Sequence, residues 1–151
     1  MLSNIRLKKW IFFFVFTTLI VIGFFVYKKN PLLFSSYEIG DPIDSLNQVV
    51  VYYNSGTGNV SGRNTAPDGY NIGLKYQCVE FVKRYYYYHY NHKMPNPWGH
   101  AINFFNPRLK DGSLNEERNL IQYNQGSKSK PKEGDILVFK SNYGHVAIVS
   151  E

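Results

Sequence analysis

The sequence predicts a mixed helix-and-strand domain attached to one membrane-spanning helix. An uncharged apolar stretch covers residues 10–27, and an amphipathic helical pattern begins near Cys78. Runs rich in β-branched and aromatic residues, of strand length, lie at 48–53, 136–139 and 145–149. A chain of 151 residues is long enough for one small domain beyond the apolar helix.

The apolar stretch 10–27 has the length of a membrane span. As a helix it extends about 27 Å, close to the roughly 30 Å of a bilayer core. Trp10 and Tyr27 lie at its ends, where amphipathic rings favour the headgroup level, and a lysine pair flanks each end. A buried core helix and a cleaved signal peptide are the alternatives. The run exceeds a typical signal core of about 7–15 residues and lacks a small-x-small site, so we predict an uncleaved anchor.

The charge is unevenly distributed along the chain. Of 17 basic residues, five lie in residues 1–30, which hold no acid, whereas residues 31–151 carry 12 basic and 11 acidic residues. The domain is therefore nearly neutral, and we predict no nucleic-acid partner. The basic residues before the apolar stretch slightly outweigh those after it. The positive-inside rule then predicts residues 1–9 in the cytoplasm and 45–151 as an extracytoplasmic domain. Residues 28–44, which contain several Pro, Gly and Ser residues, are predicted to be a linker.

Short elements follow one another within residues 45–151. Residues 48–53 predict a strand, and residues 54–70, rich in Gly, Asn and Ser, predict a loop. The helix beginning at about Cys78 continues through residues 80–89, with aromatic side chains at helical spacing. The remaining predictions are a short helix over 98–105 ended by Pro107, a mostly irregular segment 110–132, a turn at 131–135, a strand at 136–139, a loop at 140–143 and a strand at 145–149.

Cys78 is the single cysteine of the chain, so it has no internal disulfide partner. It is either a small buried hydrophobe or a reactive thiol. A thiol at a helix N-terminus faces free N–H groups and the positive end of the dipole, and both favour the thiolate. His145, at the mouth of a later strand, supplies an imidazole. This is the layout of papain-like hydrolysis, in which we expect Cys78 N–H and Gln77 to hold the oxyanion.

The local sequence is more specific than this layout. Residues 76–81, Tyr-Gln-Cys-Val-Glu-Phe, followed by a basic pair, resemble the nucleophile motif of the CHAP family of cysteine- and histidine-dependent amidohydrolases/peptidases, closest to the amidase domain of glutathionylspermidine synthetase/amidase. The family's first strand resembles residues 49–52. Its Gly-Asp turn and the strand that follows resemble residues 132–138, and its histidine-bearing strand resembles residues 142–149. The resemblance covers about residues 40–151.

The resemblance implies an α+β, papain-like fold of the CHAP/NlpC-P60 type, with the cysteine helix on an antiparallel sheet that carries the histidine. It implies Cys78 as nucleophile, His145 as general base and acid, and cleavage of an amide without a cofactor. It also implies Lys83 and Arg84 as substrate-binding residues. Family substrates include peptidoglycan peptides and glutathionylspermidine. Lys83 stands where the amidase branch has arginine, and lysine lacks the bidentate fork, which weakens the case for a glutathionyl substrate.

A third polar residue orients the histidine in the family, and it lies on the strand after the histidine strand. Glu151 follows His145 on the same strand, about 20 Å further along, and cannot orient its ring. We therefore expect the domain to lack C-terminal strands, or the site to work as a dyad, or to be inactive.

Other polar residues receive simpler interpretations. His89 and His92 have no third ligand at suitable spacing, so we predict no metal site. We expect Glu80 to stabilise the N-terminus of the Cys78 helix and Asp135 to fasten its own turn. The leading hypothesis is a membrane-anchored thiol amidohydrolase or peptidase that acts on an amide substrate, with cell-wall peptide favoured by the topology. The alternatives are a glutathionylspermidine-type amidase and an inactive CHAP-like binding module.

Overall fold

The computed structural model describes residues 2–29 and 36–151, with side chains from residue 8 onward. Two compact units divide the chain, one ending at Glu38 and the other formed by Ile39–Glu151. Part of the predicted linker, residues 30–35, lies outside the described residues.

The first unit contains helix α1, Leu2–Lys29. Its segment Lys8–Lys29 is long and apolar enough to cross a membrane, with a mean hydropathy of 2.4 over an 18-residue window. The hydroxyls of Thr17 and Thr18 each donate to a carbonyl one turn earlier, at 2.8 Å from Phe13 and Phe14 respectively. These bonds satisfy polar groups inside an apolar helix. The predicted helix over 10–27 is confirmed, and it extends beyond both ends.

Eight strands in the second unit pair in sequence order as four antiparallel hairpins. Helix α2, Cys78–Tyr90, contacts the second, fourth and eighth strands, and a 3₁₀ helix, Ala101–Phe104, contacts the last two. The strands are β1 Pro42–Leu46, β2 Val49–Tyr52, β3 Arg63–Thr65, β4 Asn71–Leu74, β5 Ser113–Asn115, β6 Leu120–Gln122, β7 Ile136–Phe139 and β8 His145–Ile148.

The mixed helix-and-strand arrangement is confirmed, but four sequence predictions need correction. Strand β1 lies partly within the predicted linker, β3 lies in the predicted loop 54–70, and the β5–β6 hairpin lies in the predicted loop 110–132. The predicted helix over 98–105 is a single 3₁₀ turn. Three-residue polar strands carry too little periodicity to be recognised, and cross-strand hydrogen bonds set them. The papain-like fold with one antiparallel sheet stays a prediction, because the strands of the second unit form four separate two-stranded sheets.

The core of the second unit lies under one face of α2. Val82, Tyr85 and Tyr86 are buried there, in a cluster that also contains Val49 and Val146. The tyrosine hydroxyls are satisfied, because Tyr85 accepts from Asn47 at 2.8 Å and Tyr86 donates to the Gly134 carbonyl at 2.8 Å. Burial raises the pKa of Tyr86, so its hydroxyl remains a donor.

The β7–β8 hairpin begins at a fixed turn. The Asp135 carboxylate accepts a 2.8 Å hydrogen bond from the Lys132 backbone, which confirms the predicted role of Asp135. Backbone bonds between Gly134 and Val149 and between Asp135 and Val149 continue the pairing beyond the strands. The register places Phe139 opposite His145 at the far end of the hairpin.

Candidate active site

Cys78 is the first residue of α2, and its free thiol is half-buried. Gln77 precedes it as an extended N-cap residue whose side chain caps no helix N–H. The Phe81 N–H donates to the Gln77 carbonyl at 3.1 Å as the first bond of the helix. The N–H groups of Cys78, Val79 and Glu80 precede this bond and have no intrahelical acceptor. The thiol therefore starts a helix with uncapped donors beside it.

Lys75 lies three residues before Cys78, and both its backbone N–H and its backbone carbonyl are hydrogen-bonded. Its N–H donates to Gly62 at 2.9 Å, and its carbonyl accepts from Ser61 at 3.0 Å. The Tyr76 N–H donates to the Asn54 side chain at 3.3 Å. These bonds attach the turn before the thiol to the loop between β2 and β3. They restrict the direction from which the chain enters α2.

Gln77, the predicted oxyanion donor, hydrogen-bonds the protein's own backbone in this structure. Its side-chain nitrogen donates to the carbonyls of Thr57, at 3.2 Å, and Asn59. A primary amide has two donor hydrogens, so these two acceptors occupy it. The Gln77 backbone N–H donates to Leu74 at 2.9 Å. Its predicted oxyanion role stays a prediction, and it requires the side chain to leave one of these carbonyls.

Strand β4 comes unusually close to the first turn of α2. Gly73, at φ +139°, approaches Glu80 so closely that a Cβ on Gly73 would lie 3.1 Å from the Glu80 Cα. A glycine is needed for both the space and the backbone conformation. This approach sets the distance between β4 and the turn of helix that carries Cys78.

Glu80 lies in the first turn of α2, as the sequence predicts, but side chains and not the helix N-terminus bind its carboxylate. It is 1% exposed, and Oε1 accepts from Asn64 at 2.7 Å and from the Arg84 Nε at 2.7 Å. The helix N-terminus alone does not explain so complete a burial. Buried carboxylates persist when they are paired and hydrogen-bonded, as here. Glu80 thus connects α2 to β3.

His145, the predicted base, is the first residue of β8 and is exposed. Its ring lies opposite Phe139, with 6.0 Å between the ring centroids. The preceding loop is fixed to the 3₁₀ helix, because the Ile102 N–H donates to Tyr143 at 3.0 Å and Gly144 lies against the Ile102 backbone. Contacts with the 3₁₀ helix therefore define how the chain enters β8 at His145.

The two elements that carry Cys78 and His145 are in contact. Helix α2 packs on β8, and Cys78 borders the same hydrophobic cluster as Val146. Within residues 36–151, no hydrogen bond joins the thiol to the imidazole and no side chain hydrogen-bonds the His145 ring. Glu151 is exposed and lies beyond the end of β8 at Ile148. The described residues thus bring together the elements of a Cys–His pair but do not orient the imidazole.

Lys83 has an internal role in place of the predicted substrate contact. It is 1% exposed, and its ammonium donates to the carbonyls of Asn71 and, at 2.7 Å, Pro97. Burial, with repulsion from Arg118 and Arg63, lowers the pKa of Lys83 from 10.5 to about 8. Lys83 therefore joins α2 to β4 and to the segment before the 3₁₀ helix.

Arg84, next to Lys83, faces a cavity between α2 and β2. The cavity is also lined by Tyr52, Lys75, Tyr76 and Tyr88. The Arg84 guanidinium lies 4.9 Å from the Tyr52 ring centroid and pairs with Glu80. Sequence reasoning missed the other lining residues. The signal that could have found Lys75 is its place in the turn before the nucleophile.

The other histidines of the helical region have internal partners. His89 packs on the Tyr85 ring at 4.9 Å, and a His92 ring nitrogen lies 2.9 Å from the Arg118 carbonyl. In the part of the chain that the structure describes, no group of three His, Cys, Asp or Glu residues could hold a metal ion.

Comparisons with known proteins agree with these elements. The family model of the CHAP domain matches residues 68–151, more than half of the chain and the part that contains α2 and β8. Trypanothione synthetase from Crithidia fasciculata is 30% identical over 96 residues, which is 60% of this chain and 15% of that protein. This chain therefore aligns with only a small part of that relative. By the extent of the family match, the chain belongs to the CHAP domain family.

Proposed function

We propose that this protein is a membrane-anchored cysteine amidase or peptidase in which Cys78 is the nucleophile and His145 transfers the protons. Membership of the CHAP family indicates amidase or peptidase activity in general. The observation that carries the proposal is the packing of α2, which begins at Cys78, on β8, which begins at His145. The uncapped N–H groups at the start of α2 offer donors for an oxyanion.

The reaction proceeds through a thioester. The Cys78 thiolate attacks the amide carbonyl, forming a C–S bond, and the carbonyl oxygen becomes an oxyanion that the Cys78 N–H stabilises. His145, which has taken the proton of the thiol, gives that proton to the amine as the C–N bond breaks. The neutral imidazole then takes a proton from water, which attacks the thioester and releases the acid and the thiolate. His145 performs both transfers without an orienting side chain among the described residues, as a dyad.

The proposed membrane topology indicates which substrates the domain can reach. Helix α1 has the length and hydropathy of a membrane span. With the basic N-terminus inside, the domain faces outward, and in a bacterium the abundant external amide polymer is peptidoglycan. The similarity to a trypanothione synthetase favours a second candidate, the amide of a glutathionylspermidine-type conjugate. An inactive domain that binds wall material is the third.

One assay separates these candidates. The full chain in detergent micelles is incubated with isolated peptidoglycan and, separately, with glutathionylspermidine, and released amines are measured by mass spectrometry. We expect Cys78→Ser to abolish cleavage and His145→Ala to reduce it about 10²- to 10⁴-fold. His89→Ala, which alters another exposed histidine, serves as the control and should retain activity. Cleavage that survives Cys78→Ser disproves the nucleophile assignment.

Labelling by iodoacetamide tests the inactive alternative. A thiolate held by an imidazole reacts rapidly at mildly acidic pH, and removal of the imidazole slows it. We therefore expect faster labelling of Cys78 in the wild type than in His145→Ala. Equal, slow labelling of both proteins, together with no cleavage of either substrate, supports a binding module instead.

A further inference from the structure

The cavity between α2 and β2 combines cationic and aromatic side chains, two of them from the turn that precedes Cys78. Among the described residues its lining contains two cations, Lys75 and Arg84, and no acidic side chain. Lys75 lies three residues before the thiol, so their Cα atoms are at most about 11 Å apart. A group bound at Lys75 therefore lies in the same region of the domain as the nucleophile.

Arg84 is held in a defined position but keeps a free donor. Its side chain is 8% exposed, and Nε and Nη2 donate to the Glu80 carboxylate at 2.7 and 3.4 Å. In the described residues Nη1 has no hydrogen-bond partner, and Arg118 Nε is the one fully buried side-chain polar atom without a partner. Nη1 of Arg84 therefore retains access, and Arg84 is one of the residues that line the cavity.

The aromatic walls of the cavity are fixed. The Tyr52 ring contacts the Tyr76 ring, with 5.0 Å between their centroids, and the Arg84 guanidinium lies 4.9 Å from Tyr52 on the same cavity. Tyr76 is seated against Gly40, where a Cβ would come within 2.9 Å of its hydroxyl. A guanidinium stacked on a ring and paired on one edge presents its other edge in a preset plane. Such an edge suits a planar anion.

We infer that this cavity is a subsite for a free carboxylate of the substrate, bound by Arg84 and Lys75. Glu80 balances the charge of Arg84, and Lys75 supplies the positive charge that attracts the anion. The inference rests on the proposed function, because it assigns the carboxylate to the cleaved peptide. It selects peptide amides that carry a free carboxylate near the scissile bond.

Binding is tested with two matched probes, N-acetyl-glycyl-glycine and its C-terminal amide. An extended probe of this length spans about 10 Å, similar to the largest Cα separation of Lys75 and Cys78. Full-length Cys78→Ala in detergent micelles is titrated with each probe, and backbone amide NMR shifts are followed at Lys75, Tyr76 and Arg84. The acid should produce saturable shifts with millimolar affinity, and the amide should bind at least about fivefold more weakly.

Variants connect the binding to the two cations. Lys75→Gln, at a half-exposed position, should weaken acid binding about three- to tenfold, and Arg84→Lys should weaken it about tenfold because the fork is lost. Lys132→Gln, at an exposed lysine away from the cavity lining, is the control and should bind like the parent. Equal affinity for acid and amide, or equal affinity of Lys75→Gln and Lys132→Gln, overturns the subsite.

A separate measurement tests whether the ligand reaches the nucleophile. In the chain with Cys78 intact, the acid should slow iodoacetamide labelling of Cys78 at least about threefold at saturation, and the amide should not. If the acid binds but gives no protection, the site is not a substrate subsite. Because the titration uses a chain without the thiol, its result does not depend on catalysis. Cleavage without acid binding removes the subsite and leaves the proposed function standing.

Discussion

Gly144 and Ile102 are in backbone contact beside the predicted catalytic histidine. A Cβ on Gly144 would lie 2.4 Å from the backbone nitrogen of Ile102, and that nitrogen donates to the Tyr143 carbonyl at 3.0 Å. Gly144 also has φ +76°, a conformation that side-chain-bearing residues rarely adopt. Packing against the 3₁₀ helix thus sets the conformation of the loop that precedes His145 and β8.

Gly144→Ala should therefore lower both stability and activity. The left-handed backbone costs about 1–2 kcal/mol with alanine, and the contact with Ile102 adds about 1–3 kcal/mol because both partners are backbone. Gly126→Ala is the matched control, since Gly126 has φ +88° with no atom within 4 Å of its would-be Cβ. Thermal unfolding followed by circular dichroism should show a clearly larger fall in Tm for Gly144→Ala. Equal falls would mean that the Ile102 contact is unimportant.

Glu80→Gln should destabilise the domain by about 3 kcal/mol. The substitution leaves the Arg84 guanidinium buried without its counter-charge, a change that is costly when an ion pair is inaccessible to solvent. Glu116→Gln, at an exposed glutamate, serves as the control. Chemical denaturation of both variants in the same detergent measures the difference. A Glu80→Gln chain as stable as Glu116→Gln would show that the pair contributes little.

The sequence predicted the positions of α2 and β8 because their patterns are local. The helical spacing of aromatic residues and the turn before Cys78 define α2, and the Gly-His start defines β8. By contrast, β3 and β5 are three polar or mixed residues each, and their pairing partners set them. Local patterns also do not determine that α2 packs on β8, so the proximity of the two elements needed the structure.

The neighbouring cations Lys83 and Arg84 show why the site was harder to predict than the fold. Successive helical residues point about 100° apart, so Lys83 and Arg84 face different parts of the domain. The Arg84–Glu80 pair at i,i+4 is readable from sequence. The carbonyls of Asn71 and Pro97 that bind Lys83 come from distant segments, and only the tertiary structure brings them to α2. Sequence alone therefore could not show that Lys83 binds distant carbonyls while Arg84, which is also buried, lines the cavity.

Ile20→Arg should reduce membrane association of the full chain. Ile20 lies near the middle of the apolar segment Lys8–Lys29, where an arginine in place of an apolar residue costs about 3 kcal/mol of insertion free energy. Carbonate extraction of membranes from expressing cells should move part of the protein to the soluble fraction. Ile20→Leu is the control and should remain in the pellet. An unchanged distribution of the arginine variant would argue against an anchor in this segment.

Gln77→Ala tests whether the side chain fastens a loop or stabilises an oxyanion. Its amide donates to the carbonyls of Thr57 and Asn59, so its loss should lower Tm by several degrees and increase hydrogen exchange of residues 57–62. Asn59→Ala keeps the carbonyl that Gln77 binds and serves as a control for side-chain loss in the same loop. A large fall in kcat with unchanged Tm and exchange would instead support the oxyanion role.

Lys83 should make the stability of the domain depend on alkaline pH. Its pKa is lowered from 10.5 to about 8 by burial and by repulsion from Arg118 and Arg63, with partial compensation from Glu80. Between about pH 8 and 10.5 the unfolded chain keeps a proton that the folded chain has released. Stability from this group therefore rises with pH across that window, by at most about 1.4 kcal/mol per pH unit, and levels off above it.

The comparison with Lys83→Met isolates this effect from the titration of tyrosines, which both proteins share. Tm is measured from pH 7 to 11 for the wild type, Lys83→Met and Lys132→Met, whose substituted lysine is exposed. The Tm of the wild type minus that of Lys83→Met should increase between about pH 8 and 10.5, while the difference from Lys132→Met stays nearly constant. A Lys83→Met difference that is flat with pH would mean that the lysine titrates alike in both states, and the burial of its charge would then cost the fold nothing.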